Sequence, residues 1–132
     1  MRLTSGVEKR FFELSGLKEN EVTGRVPYIL VDNFPRLGFL TALRFIEWVS
    51  MNPGGVVSLP TGKTPEYFIK WTSYLLNNWD SKQVIQYREE YGLNSTKKPS
   101  LANLSFVQID EFYPIPSRQE NSFNYYVNKY LI

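Results

Sequence analysis

Stretches of helical period alternate along the chain with short apolar runs, and the switches between them mark out the elements. Val7 to Leu14 has the pattern of a short amphipathic helix, closed by Gly16. The run "VPYILVD" from Val26 is β-rich and bounded by turn formers, which predicts a strand. Asn33 then offers an N-cap, and Pro35 falls in the first turn of a helix running to about Ser50. On that helix Thr41, Arg44 and Glu47 make a narrow polar stripe, while Leu37, Leu40, Leu43, Phe45, Ile46 and Val49 cover most of the rest. Such a helix is largely buried, as when it lies on a sheet.

"NPGG" breaks the pattern, and "VVSL" predicts a buried strand. Thr64-Pro65 opens the next helix, whose polar positions Glu66, Lys70, Ser73 and Asn77 fall on one stripe. Asp80 is placed to cap a further helix through about Tyr91. "GLNSTKKPSLAN" is a loop, "LSFVQI" a third strand ending at Asp110, and "PIPSRQEN" a surface loop. Asn121 or Ser122 then caps a last helix, "FNYYVNKYLI". The order strand–helix–strand–helix–helix–strand–helix is that of an α/β domain with a parallel sheet and right-handed crossovers. No repeat or linker divides it, so residues 1–132 read as one domain.

Composition narrows the function classes. At 132 residues, with 42% hydrophobic and 16% aromatic residues, the chain can bury a sizeable core. A net charge of +2, with acids and bases interspersed, gives no electrostatic case for nucleic acid. Cysteine is absent, which excludes disulfides and thiol chemistry and fits a reducing compartment. Histidine is absent too, removing the commonest acid–base residue and metal ligand. No apolar run approaches a membrane span, and the charged start is not a secretory signal. A cytoplasmic protein is the expectation, and "NST" at Asn94 is then a chance match to a glycosylation acceptor.

The candidate chemistry lies in two stretches. In "VVSLPTGKTPEYFIKW" an apolar run meets Gly62-Lys63-Thr64, as in a phosphate loop. A nucleotide P-loop needs a glycine five positions before Gly62, so that the backbone curls around the β-phosphate; that position is Val57. Pro60 to Lys63 is too short to wrap a triphosphate. A single phosphate monoester fits better: amides at a strand end lead into a helix N-terminus, Gly62 permits close approach, and Thr61 and Thr64 carry hydroxyls. The alternative is a tight β–α turn with Thr64 as an ordinary cap. In "SFVQIDEFYPI", Asp110 and Glu111 end a strand at the same sheet edge. They are either groups that move a proton beside a carbonyl, or strand-end acids that cap a turn or pair with Arg118. Tyr67, Phe68, Trp71, Tyr125 and Tyr126 fall at helical spacing and read as core or interface rather than sugar-stacking platforms.

"LPTGKTP", then "IDEF", then "ENSFNYY", in this order, resembles the glucosamine-6-phosphate deaminase family, a deaminase/isomerase group that also holds 6-phosphogluconolactonases. That family shows L-P-T-G-x-T-P, D-E-Y and S-Y, whereas the lactonases more often have a Gly-Gly-Ser/Thr-Pro loop and D-E-R. The match covers the chain from the helix after Asn33 to the end. It implies a Rossmann-like sandwich with a mainly parallel sheet, and a hydrolase that isomerises an amino aldose to a ketose with release of ammonia. Thr61, Gly62, Lys63 and Thr64 would hold the sugar phosphate, largely through backbone amides. Asp110 would shuttle the proton between C1 and C2, Glu111 would support it in the catalytic pair, and Ser122 would help bind substrate. The resemblance implies no metal or organic cofactor. The partners expected are a small-molecule sugar phosphate and a homo-oligomer, with no nucleic acid and no membrane.

Three departures stand out. Lys63 takes a place usually held by a small residue, Phe112 lacks the usual tyrosine hydroxyl, and Trp79 to Asn103 is longer than the family needs, as an insertion or partner surface would be. The family's Asp-Gly-His motif is not in this chain, which ends at Leu131-Ile132 in an apolar helical pattern. The expectation is therefore the N-terminal part of a longer deaminase-like domain, inactive alone. A lactonase-like hydrolase and a non-catalytic sugar-phosphate-sensing module are the alternatives.

Overall fold

A computed structural model describes residues 3–60 and 62–130, apart from the side chain of residue 130. The elements in order are α1 (Gly6–Ser15), a 3₁₀ turn (Glu19–Glu21), α2 (Phe34–Met51), β1 (Val56–Val57), α3 (Glu66–Asn77), α4 (Lys82–Glu90), β2 (Ser105–Phe106) and α5 (Phe123–Tyr130). The chain is thus mixed α/β with a short two-stranded parallel sheet.

The helix boundaries follow local chemistry. Ser5 caps α1 by accepting from the Glu8 amide, and Gly16 ends it in the left-handed conformation at φ 71°. Asn33 Oδ1 accepts from the Arg36 amide at 2.9 Å and starts α2, with proline in the first turn. At α4 the expected cap is displaced by one residue: Ser81, not Asp80, accepts from the Val84 amide, and Tyr91 lies just past the end.

α2 and α3 pack against each other over the core. Leu43, Ile46 and Ala42 of α2 meet Phe68, Ile69 and Leu75 of α3, and Val7 and Phe11 of α1 close the far side. The crossing is close because Gly38 has no side chain. A β-carbon there would sit 2.5 Å from Tyr67 Cβ, and no nearby group could yield without moving backbone. The polar stripe of α2 is not left to solvent. Arg44 Nε donates to Glu8 at 2.7 Å, while Glu47 accepts from the Ser5 hydroxyl and, at 2.9 Å, from the Gly6 amide, so the stripe seats the start of α1. The Arg36 guanidinium lies over the rings of Phe11, Phe39 and Tyr91, tying α1, α2 and α4 together.

The stretch after Trp79 is built into this core as far as Leu93. Trp79, Val84, Tyr91 and Leu93 are buried. Arg88 stacks 4.1 Å over Trp79 and donates to the carbonyls of Trp79, Ser95 and Thr96.

The strands depart most from expectation. Val26 to Asp32 is not a strand: its odd positions Ile29 and Val31 pack on the core, while Val26, Tyr28 and Leu30 are exposed. The alternation of a strand is present without a paired neighbour, and an extended segment becomes a strand only through its neighbour's backbone groups. "VVSL" narrows to two paired residues, with Val56 exposed rather than buried, and "LSFVQI" narrows to Ser105–Phe106, well short of Asp110. No helix among the described residues is long and apolar enough to cross a membrane.

Candidate functional site

The register of the two strands decides what meets what. Val56 lies beside Ser105 and Val57 beside Phe106, with the Ser105 amide on the Gly55 carbonyl at 3.0 Å and the Val107 amide on the Val57 carbonyl at 2.9 Å. Because the pair is parallel, the loop after β1 and the segment after β2 leave the same edge of the sheet. Ser58 extends the contact, donating from Oγ to the Val107 carbonyl at 2.7 Å.

In the first loop Thr61 lies outside the described residues. Gly62 has φ 93°, a conformation that favours glycine, and the Lys63 carbonyl accepts from the Glu66 amide to turn the chain into α3. Lys63 and Thr64 are exposed, and Thr64 does not cap: Pro65 holds the N-cap position, and among the described residues no side chain caps the helix start. That leaves the positive end of the α3 dipole without a side-chain acceptor. A hollow of about 370 Å³ next to it is lined by Gly62, Lys63, Glu66, Ile69, Lys70 and Tyr126. The Lys70 ammonium bonds Glu66 at 2.6 Å; this bond, the charge of Lys70 and the charge of Lys63 hold the Glu66 carboxyl below its ordinary range.

The two acids after β2 have opposite surroundings. Among the described residues the Asp110 carboxylate has no hydrogen-bond or ion-pair partner; it is exposed and lines a hollow of about 480 Å³ with Gln108, Glu111, Ile115, Ser117 and Asn124. Its backbone carbonyl accepts from Gln108 Nε2 at 2.6 Å. Glu111 is fully engaged. It accepts from the amides of Phe112 and Phe123 at 3.0 Å each, from the Asn124 amide at 2.9 Å and from the Ser122 hydroxyl at 2.8 Å. Partial desolvation pushes its carboxyl upward, but the bonds from Asn124, Phe123, Ser122 and Phe112 outweigh it and lower the pKa to about 2. Glu111 is therefore a poor base at neutral pH and an effective anchor for the start of α5.

Ser122 is the cap of α5, with Oγ accepting from the Tyr125 amide at 3.2 Å; its side chain is 1% exposed and turned inward. Arg118 pairs with neither acid among the described residues. One contact escaped the sequence: the Tyr126 hydroxyl donates to the Gly62 carbonyl at 3.0 Å, across 64 positions. Its only trace in the sequence is that Tyr126 lies four residues after the cap Ser122, on the same helix face.

A larger hollow, about 700 Å³, runs between α2 and β1 past Leu37, Leu40, Phe45, Val56 and Phe68, and touches the loop at Pro60, Thr64 and Pro65. Its walls are mainly apolar, which suits packing and not a phosphate. No group of three or more carboxylate, histidine or cysteine residues able to hold a metal occurs among the described residues.

No family model matches the chain, and no curated protein does. Among solved structures, a monomeric glucosamine-6-phosphate deaminase, described as a missing link of the NagB superfamily, superposes with a TM-score of 0.60. The likeness covers 77% of this chain and 35% of that one, at 20% identity. At that identity it is a likeness of fold. The chain shares the mixed α/β fold of one part of a glucosamine-6-phosphate deaminase.

Proposed function

We propose that the chain is the N-terminal part of a glucosamine-6-phosphate deaminase-like domain, a Rossmann-like sandwich of which it carries an incomplete sheet. The Gly62 to Thr64 loop, with Thr61, takes the sugar phosphate. Asp110 moves the proton between C1 and C2 as the 2-amino aldose becomes the ketose; water enters, ammonia leaves, and fructose 6-phosphate results. One observation carries this reading: the parallel β1–β2 register brings an uncapped helix start and an unpaired carboxylate to one sheet edge. The likeness in fold to a deaminase supports it. Lys63 adds a positive charge beside the phosphate, and Glu111 and Ser122 support the site by fixing α5 beside Asp110. A non-catalytic sugar-phosphate sensor is the second reading, favoured because no group among the described residues bonds to the Asp110 carboxylate.

Titrating the labelled chain with glucosamine 6-phosphate and with glucosamine, while following the Lys63 and Thr64 amides, tests the loop. The expected result is binding that depends on the phosphate, no turnover, and an Asp110→Asn variant with Kd within about twofold of the parent, since that carboxylate serves chemistry rather than affinity. Equal binding of glucosamine and its phosphate would sink the assignment. Wash-in of solvent deuterium at C2 that needs Asp110 would favour the enzyme over the sensor.

A further inference from the structure

We propose that α5 is a strut between the two halves of the site, with Glu111 anchoring its start and Tyr126 acting as the positioning residue for the phosphate loop. The proposal rests on the loop being a phosphate site and adds how that loop is held.

The anchor end is well defined. Glu111 gathers the amides of Phe123 and Asn124 and the Ser122 hydroxyl, so the first turn of α5 is fastened to the segment after β2 by one carboxylate. Ser122 reinforces it by accepting from the Tyr125 amide, and Val127 of the same helix is buried. One turn on, Tyr126 reaches the Gly62 carbonyl. Gly62, at φ 93°, is the residue of the loop best able to change its peptide orientation, since glycine populates both signs of φ. In a planar trans peptide the Gly62 carbonyl and the Lys63 N–H point in opposite directions. A hydroxyl that fixes the carbonyl therefore fixes the direction of the Lys63 amide, one of the donors a phosphate would use. Through these contacts, Glu111 in the segment after β2 sets the aim of an amide in the loop after β1.

The test is Tyr126→Phe, which removes one hydroxyl and keeps the ring, with Ser122→Ala as a second, milder loosening of the anchor. Both are compared with the parent chain by the Gly62 carbonyl and Lys63 amide chemical shifts and by affinity for inorganic phosphate and for glucosamine 6-phosphate. The expected result is that both variants move the Gly62 and Lys63 signals. Tyr126→Phe should weaken both ligands alike, about two- to tenfold, the equivalent of one hydrogen bond, with the Val127 signals unmoved. Unchanged Gly62 and Lys63 shifts in Tyr126→Phe, or shifts that answer Tyr126→Phe but not Ser122→Ala, would overturn the strut. Unchanged affinity in a variant whose shifts move would overturn the positioning role. If the parent binds neither ligand, the phosphate reading fails, and the same shifts still decide whether α5 controls the loop.

Discussion

The layer of helices α1 to α4 and the strand-end segments are built from similarly apolar sequence, yet they use it in opposite ways. Leu43, Ile46, Leu75 and Val84 are 0% exposed, whereas Val26 is 76%, Val56 66%, Val107 52% and Ile109 60% exposed. A helix satisfies its own backbone and needs a partner for one stripe only, which α2 and α3 supply to each other. A parallel strand needs a neighbour on each edge and cover on both faces. Here β1 and β2 have each other, and the Val56, Val107 and Ile109 side is bare. Among the described residues, the helical region thus buries its apolar stripe, whereas the sheet region leaves Val56, Val107 and Ile109 exposed.

The strongest way to break that comparison is at the centre of the helical layer. Leu43→Ala should cost about 2–5 kcal/mol by chemical denaturation, because it opens a cavity where α2 meets α3. A loss below about 1 kcal/mol would mean that the helices do not hold the fold.

An intermediate effect is expected at Glu111, which ties the segment after β2 to the start of α5. Its carboxyl is lowered from 4.5 in the folded chain to about 2, so the folded state holds the proton more weakly than the unfolded one. Its contribution to seating α5 is then fully present above pH 4.5 and is lost as pH falls toward 2. Amide exchange in Phe123 to Val127, followed against pH, should show loss of protection in that window, and Glu111→Gln should remove the transition. A pH-independent profile in the parent would contradict the anchor.

The smallest effect belongs to the bare face. Ile109→Lys should leave the free energy of unfolding within about 0.5 kcal/mol of the parent, since the residue buries little. It should also raise solubility by interrupting the apolar patch. A large destabilisation would mean that the face is covered in solution.

How far the sequence could be read follows the same division. Asn33, Gly16 and the paired stripes of α2 and α3 were legible because caps and helical period act within a few residues. Asp80 reads as the cap from its residue type, but Ser81 beside it can also cap, and the choice turns on which oxygen meets the Val84 amide. The strand expected at Val26 does not form and the one expected at Leu104 is cut to Ser105–Phe106, because composition reports willingness to extend and says nothing of a partner. At the site, the inference of a parallel pair is enough to bring the segment after β1 and the segment after β2 to the same sheet edge. The different fates of Asp110 and Glu111 were hidden, since both follow the same strand and differ only in what lies around them.

The sequence by itself determined the helices, their buried stripes, the mixed α/β order and the two stretches that carry candidate chemistry, because each rests on periodicity or on a cap within one turn. Only the tertiary structure decided which segments pair as strands, which acid is consumed as an anchor and which stays free, and that a tyrosine of the last helix holds a glycine 64 residues earlier. Those outcomes depend on long-range contacts, whose partners are chosen by packing in three dimensions and leave no periodic trace along the chain.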